Sequence, residues 1–352
     1  MLWEVCVTLR SQSNKGMPTL KQISKDLNVS ISIVSRILNG KAKEFRISNA
    51  TVEIVLKHAK EIGYAPNLIA KGLQASQTFT IGLMVPNIAN PFFAIMAKNI
   101  EKRAFKSKYS IILVDSNENI EIEKQQLNNL LGRKVDGLIV APVGGNCQHF
   151  IKIVKQKIPL IFVDRYFTES TIPYITSNNY QGCYDATKHL IEMGHSHIGL
   201  ICGNNANELV QERTRGYHEA HQDNALPISP NLTIGNTFST ENGFDSTQKL
   251  LQLDTPPTAI LAMNNLIGFG VLQAINEHNL VIPSQLSLVI FDDHPYLSLL
   301  SPSITAIKQN SEKIGEMAVK AILKEINNEC DIQSKQIPTT LILRDSVFNL
   351  KA

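Results

Sequence analysis

From Thr80 onward the chain alternates short apolar runs with longer amphipathic stretches, and no other feature limits its folding as strongly. The runs are IGLMV (81–85), SIILVD (110–115), GLIVAP (137–142), PLIFVD (159–164), HIGLIC (197–202), TAILAM (258–263) and LSLVIF (286–291). Helical periodicity fills the intervals at 92–106, 119–132, 181–193, 209–222, 240–252 and 265–278. A strand apolar along its whole length needs cover on both faces. Strands alternating with helices meet that need as parallel sheets wound on both sides. Residues 79–350 are too many for one such sheet, so two similar doubly wound lobes with a cleft between them are expected.

The first 78 residues follow a different pattern. Leu20, Ile23 and Leu27 recur at helical spacing, and Asn28-Val29 makes a turn. Ser30 is placed to cap a second helix carrying Val34, Ile37 and Leu38, which Asn39-Gly40 ends. A polar loop, KAKEFRI, leads to Ser48 or Asn49 as the next cap, and the third helix stops near Gly63. Helix, tight turn and second helix is the layout of a helix-turn-helix. Charge agrees with that reading. Residues 17–76 hold nine basic and four acidic side chains, a net +5, and residues 1–16 add +1. On a chain of net +3, that leaves −3 for the remainder. A basic head on a mildly acidic body suits a polyanion partner.

The stretch V-S-I-S-I-V-S-R-I-L-N (Val29–Asn39), the later G-Y-A-P-N (Gly63–Asn67) and I-G-L-M-V-P-N-I-A-N-P-F-F after them resemble the lactose/galactose repressor family. The resemblance runs in order over about residues 17–350. It implies a helix-turn-helix DNA-binding domain at 17–65, a hinge at 66–78 and a periplasmic-binding-protein-like effector and dimerisation domain at 79–350. Residues 1–16 have no counterpart and are expected to be a disordered extension, or to follow from a start at Met1 where Met17 is the true one.

The resemblance also implies site residues. Ser30, Ile31, Ser32, Ser35, Arg36 and Asn39 fall on the DNA-facing helix. Arg36 suits a guanine edge and Ile31 a thymine methyl, while Ser35, Asn39 and Lys41 suit phosphates. In the hinge, Leu73, flanked by Ala70 and Lys71, takes the place of the leucine that wedges into the minor groove. Gly72 departs from the usual small polar residue and should weaken a hinge helix.

Between the lobes, the resemblance places Phe92, Phe93, Asp164, Arg165, Arg213, Phe238, Asn264, Asp292 and Gln309 around an effector. Most lie at carboxyl ends of strands, where open α/β sheets hold ligands. Aromatic faces suit the C–H surface of a sugar, and charged and amide groups suit its hydroxyls. The phenylalanines are expected to sandwich a ring. Two positions depart from the family pattern: Asn265 stands for the usual aspartate and Ile290 for a common glycine.

Other function classes fit less well. There is no G-x-S-x-G, P-loop or H-E-x-x-H, and the nine histidines show no metal spacing. Neither catalytic residues, a metal nor a cofactor is therefore expected. A secreted sugar-binding protein would leave the head unexplained, and MLWEVCVTLR is a poor signal peptide. No run approaches the roughly 18 apolar residues of a membrane span. Cys6, Cys147, Cys183, Cys202 and Cys330 form no C-x-x-C pair and fit a reducing cytoplasm. The expectation is a cytoplasmic homodimeric repressor that grips a pseudo-palindromic operator and answers to a sugar-like effector. A phosphorylated carrier protein or a purine is the alternative signal. With the chain ending at Ala352, before any heptad tail, a dimer is expected rather than a tetramer.

Overall fold

The computed structural model describes residues 18–64, 77–329 and 332–351. The chain divides between Thr78 and Phe79 into two compact units.

The head contains α1 (Leu20–Leu27), α2 (Ile31–Leu38) and α3 (Asn49–Glu61). Thr19, Ser30 and Ser48 each cap one of these helices by accepting a backbone N–H three residues on. α2 ends on Gly40, at φ +72°, a left-handed conformation that glycine adopts without strain. The Lys41 N–H then closes back on the Arg36 carbonyl at 2.9 Å. Ile23, Val34, Ile37, Val55 and Ala59 form the buried centre of this small unit.

The body contains, in chain order, β1 (Thr80–Val85), α4 (Pro91–Lys106), β2 (Ser110–Asp115), α5 (Ile120–Gly132), β3 (Gly137–Val140), α6 (Gln148–Lys155), β4 (Leu160–Val163) and β5 (Tyr174–Ser177). Next come α7 (Asn179–Glu192), β6 (Ile198–Ile201), α8 (Glu208–Asp223), β7 (Thr233–Ile234), α9 (Thr240–Leu251), β8 (Ala259–Ala262), α10 (Asn265–Glu277) and β9 (Ser287–Phe291). β10 (Thr305–Lys308), α11 (Ser311–Ile326), β11 (Lys335–Ile337) and β12 (Thr340–Ile342) complete it.

Two six-stranded sheets result, ordered β2-β1-β3-β4-β5-β11 and β7-β6-β8-β9-β10-β12. Every pairing is parallel except β10 with β12. β1, β3 and β4 are buried throughout or nearly so, as are β6, β8 and β9, because helices cover both faces. The chain passes from the first lobe to the second at Ser177–Asn179, returns at Lys308–Ser311 and leaves again at Ile337–Thr340. α11 therefore belongs to the first lobe, where Ile314, Ala318, Val319 and Ile322 pack with Ile81, Ile100 and Ile139.

All seven apolar runs are strands. β5, β7, β10, β11 and β12 have no counterpart among those runs. They are two to four residues long, and β11 buries only Ile337, so none makes an apolar stretch. Ile290, where a glycine was anticipated, fills space left by Gly268 on α10: a Cβ there would lie 2.6 Å from the isoleucine. α9 and α10 approach so closely that a Cβ on Gly270 would sit 2.0 Å from the Thr240 carbonyl. Among the described residues no helix is long and apolar enough to cross a membrane.

Candidate functional site

The carboxyl ends of both sheets face one narrow cleft. Phe92, Phe93, Asp164, Arg165, Arg213, Phe238, Asn264, Asp292 and Gln309 all line it, so the nine residues picked out in sequence come together. Asn87, Asn90, Glu118, Leu209 and Leu266 line it too and were not foreseen. The signal that could have found Asn87, Asn90 and Glu118 is position: they follow β1 and β2 at the same sheet ends as the others.

The two lobes contribute matching aspartates. Asp164 directly follows β4 and Asp292 directly follows β9, with φ of 62° and 79°. The left-handed backbone turns each side chain from the strand end, at a cost that a short polar residue tolerates better than most. Both aspartates are buried. Asp292 accepts from Gln309 Nε2 at 2.5 Å, and Gln309 Oε1 accepts from Ser177 Oγ at 2.5 Å. Gln309 thus ties two of the lobe crossings to the cleft floor.

The arginines are largely committed to protein partners. Arg165 donates both terminal nitrogens to Glu118, at 2.7 and 2.6 Å. Arg213 donates from Nε to Asn179 Oδ1 at 2.9 Å and from one terminal nitrogen to the Met263 carbonyl. Its guanidinium lies 3.4 Å from the centroid of the Phe291 ring. Two polar atoms on adjacent residues are left over: Asp164 Oδ1 and Arg165 Nε are buried without a hydrogen-bond partner. Arg165 Nε is 3.9 Å from the other Asp164 oxygen, an ion pair without a hydrogen bond, and an acceptor and a donor left so are costly unless something completes them.

Burial pushes the Asp164 carboxyl up to about 6, against the pull of Arg165 and Arg213, with Asp292 and Glu118 pushing it further. Burial also lowers Arg213, opposed by Asp292 and Asp164. For Arg165, burial works against the charge, but the Glu118 carboxylate outweighs it and the guanidinium ends above its ordinary value.

The aromatic arrangement differs from a simple sandwich. Phe92 and Phe93 meet edge to face, with centroids 5.2 Å apart. The Arg165 guanidinium lies 4.9 Å from the Phe238 centroid and 5.7 Å from that of Phe93, so one cation faces both rings. Asn264 caps α10 by accepting from the Ile267 N–H at 2.8 Å.

Three side chains from the two lobes meet beside the cleft. Asn265 Nδ2 donates to Asn90 Oδ1 at 2.9 Å and lies 3.1 Å from His294 Nε2, and Asn90 Nδ2 donates back to Asn265 Oδ1 at 3.3 Å. Thr168 of the first lobe also donates to Glu208 of the second, at 2.8 Å from Oγ1. Asn265 therefore bridges the lobes through an uncharged amide pair.

In the head, Ile31, Ser32 and Arg36 are exposed along one face of α2, with Ile31 46% accessible despite its apolar side chain. Ser30 serves as the cap of α2, accepting from the Ile33 N–H at 3.3 Å. Asn39 Nδ2 donates to the Ser35 carbonyl at 2.8 Å and lies 3.3 Å from Ser35 Oγ, which joins these two side chains. The Arg36 guanidinium lies 3.8 Å from the centroid of the Phe45 ring. Ala70, Lys71 and Leu73 lie outside the described residues, as does Gly72.

Comparison with known proteins adds to this geometry. Residues 19–67 match the family described as bacterial regulatory proteins, lacI family, and residues 187–347 match the periplasmic binding protein-like domain. The ribose operon repressor of Haemophilus influenzae is 33% identical over 95% of this chain and 100% of its own length. The lac repressor dimer bound to operator and an anti-inducer superposes with a TM-score of 0.85 at 26% identity, covering 94% of this chain and 99% of that one. A lacI-family regulator from Enterococcus faecium with bound ribose gives a TM-score of 0.70 at 29% identity, over 77% of this chain and all of that one.

Proposed function

Because the chain belongs to the lacI family of bacterial regulatory proteins, we propose that it is a cytoplasmic repressor whose effector is a neutral pentose, ribose above all. Proteins of this family are DNA-binding regulators under effector control that work as dimers. The choice of effector rests on one observation, the stranded pair of Asp164 Oδ1 and Arg165 Nε. A sugar hydroxyl both donates and accepts, so one hydroxyl, or two adjacent ones, completes both atoms.

Charge sets the class. Counted as ionised, the cleft holds Arg165 and Arg213 against Glu118, Asp164 and Asp292, an excess of one negative charge. Arg165 is already held by Glu118, and the net negative charge of the lining disfavours a phosphate dianion. The ribose operon repressor and the ribose-bound regulator among the relatives point the same way.

On the DNA side, two heads delivered by one dimer read two half-sites. Arg36 pairs with a guanine edge, Ile31 and Ser32 contact neighbouring bases, and Ser30, Ser35, Asn39 and Lys41 hold phosphates. Ala70, Lys71 and Leu73 enter the minor groove as the hinge orders. Effector bound between the lobes favours one arrangement of the dimer, and the hinge follows.

The test titrates ribose into the full chain bound to a fluorescent operator recovered by selection from random duplexes. Release of DNA by ribose, with ribose 5-phosphate, cellobiose and hypoxanthine inactive, is the expected result. A melting point unmoved by ribose but raised by hypoxanthine would replace the sugar reading with a purine one.

A further inference from the structure

We propose that Phe45 is a positioning residue for DNA reading: a cation–π platform that holds Arg36 ready for its guanine. This rests on the base-reading role given to Arg36 above. Arg36 is exposed on α2, and an unrestrained arginine there would sample many rotamers and lose that freedom when it fixes on a base. Here its guanidinium instead lies over a ring, 3.8 Å from the centroid.

The ring has no competing task in the head. Phe45 is 41% exposed, whereas its loop neighbours Ala42 and Ile47 pack against the buried centre of the unit. The backbone fixes where it points. The Phe45 N–H bonds the Lys41 carbonyl at 3.3 Å, the Ile47 N–H bonds the Ala42 carbonyl at 3.0 Å, and Arg46 turns the chain at φ 51°. The start of this loop is fixed in turn by the Lys41 N–H on the Arg36 carbonyl, so the arginine and its platform share one closed turn. An exposed aromatic amid Lys41, Lys43 and Arg46 is otherwise unexplained on a surface meant for a polyanion. Stacking leaves the edge of the guanidinium, with its donors, free to face O6 and N7 of a guanine.

The experiment compares Phe45→Ala, Phe45→Tyr, Phe45→Leu, Arg36→Ala and the Arg36→Ala/Phe45→Ala double variant. Each full-length protein is tested by anisotropy on the selected operator, on duplexes substituted base by base and on random-sequence DNA. At an exposed site the platform is expected to be worth about 2- to 5-fold in operator affinity. Phe45→Ala and Phe45→Leu should both show that loss, Phe45→Tyr should restore binding, and random DNA should be bound as before. The loss should fall on the guanine that Arg36 reads and vanish in the Arg36→Ala background. A loss spread over every sequence, or one that persists without Arg36, overturns the platform while leaving Arg36 as a base reader. If Arg36→Ala itself changes no base preference, both fall together. Melting curves of the head separate any of these from misfolding, and Phe45→Leu keeps an apolar side chain in place should alanine loosen the loop.

Discussion

Replacing Asp164 by asparagine should make the effector-free protein more stable and the sensor weaker. Asp164 is 4% exposed, and one of its oxygens has no partner. A carboxyl held at about 6, against an ordinary 3.8, marks an ionised form that the fold disfavours by about 3 kcal/mol at 1.36 kcal/mol per pH unit. Because the folded value lies above the unfolded one, that cost is absent below pH 3.8, grows with pH and is complete above about 6.

Asparagine removes the charge, keeps the shape and tolerates the φ of 62° that alanine would find strained. At pH 7.5 the body should melt about 5 °C higher, and the gain should fall to about half near pH 5. Ribose should bind about 10- to 150-fold more weakly, the worth of a hydrogen bond to a charged acceptor. The parent protein should also release protons on binding ribose near pH 6, since the hydroxyl favours the ionised carboxylate. Scanning calorimetry at several pH values, with ribose titrations in two buffers of different ionisation enthalpy, reads all of these. A variant that melts no higher than the parent at pH 7.5 and still binds ribose equally well would refute the reasoning.

Other expectations are simpler. Arg36→Ala should cost operator binding about 1–3 kcal/mol and relax preference at one base, leaving the body's melting unchanged; unaltered preference across substituted duplexes counts against base contact. Asn265→Ala removes the amide bridge to Asn90 and should open the effector-free cleft, visible as a larger radius of gyration in solution scattering. No change in scattering would mean that Thr168 and Glu208 hold the lobes unaided. Gly270→Ala must push α9 off α10, and should lower the melting point by several degrees, corresponding to about 1–3 kcal/mol of overpacking. A neutral result would show that the two helices separate freely.

Sequence and structure agree where a residue's role is set by its own segment. The strand ends at Asp164 and Asp292 are visible because an unbroken run of four apolar residues precedes each, and the helix caps at Ser30 and Ser48 because a hydroxyl stands before a periodic stretch. What remained hidden depends on partners far along the chain. Glu118 meets Arg165 across 47 residues, and Asn265 meets Asn90 across 175. Nothing local to Asn265 tells that it spans the lobes, so its departure from the family's aspartate could be noticed but not interpreted. Likewise Arg165 was readable as a cleft residue, yet its commitment to Glu118, leaving only Nε for a ligand, needed the fold.

The three passages of the chain between the lobes bear on how the molecule is made. Each sheet takes one of its two outer strands, β11 or β12, from the same stretch between Lys335 and Ile342. Until that stretch leaves the ribosome, β5 and β10 stand at the borders of their sheets with no strand beside them on that side. The two lobes are therefore completed together, and a stop upstream of Lys335 would leave both of them a strand short.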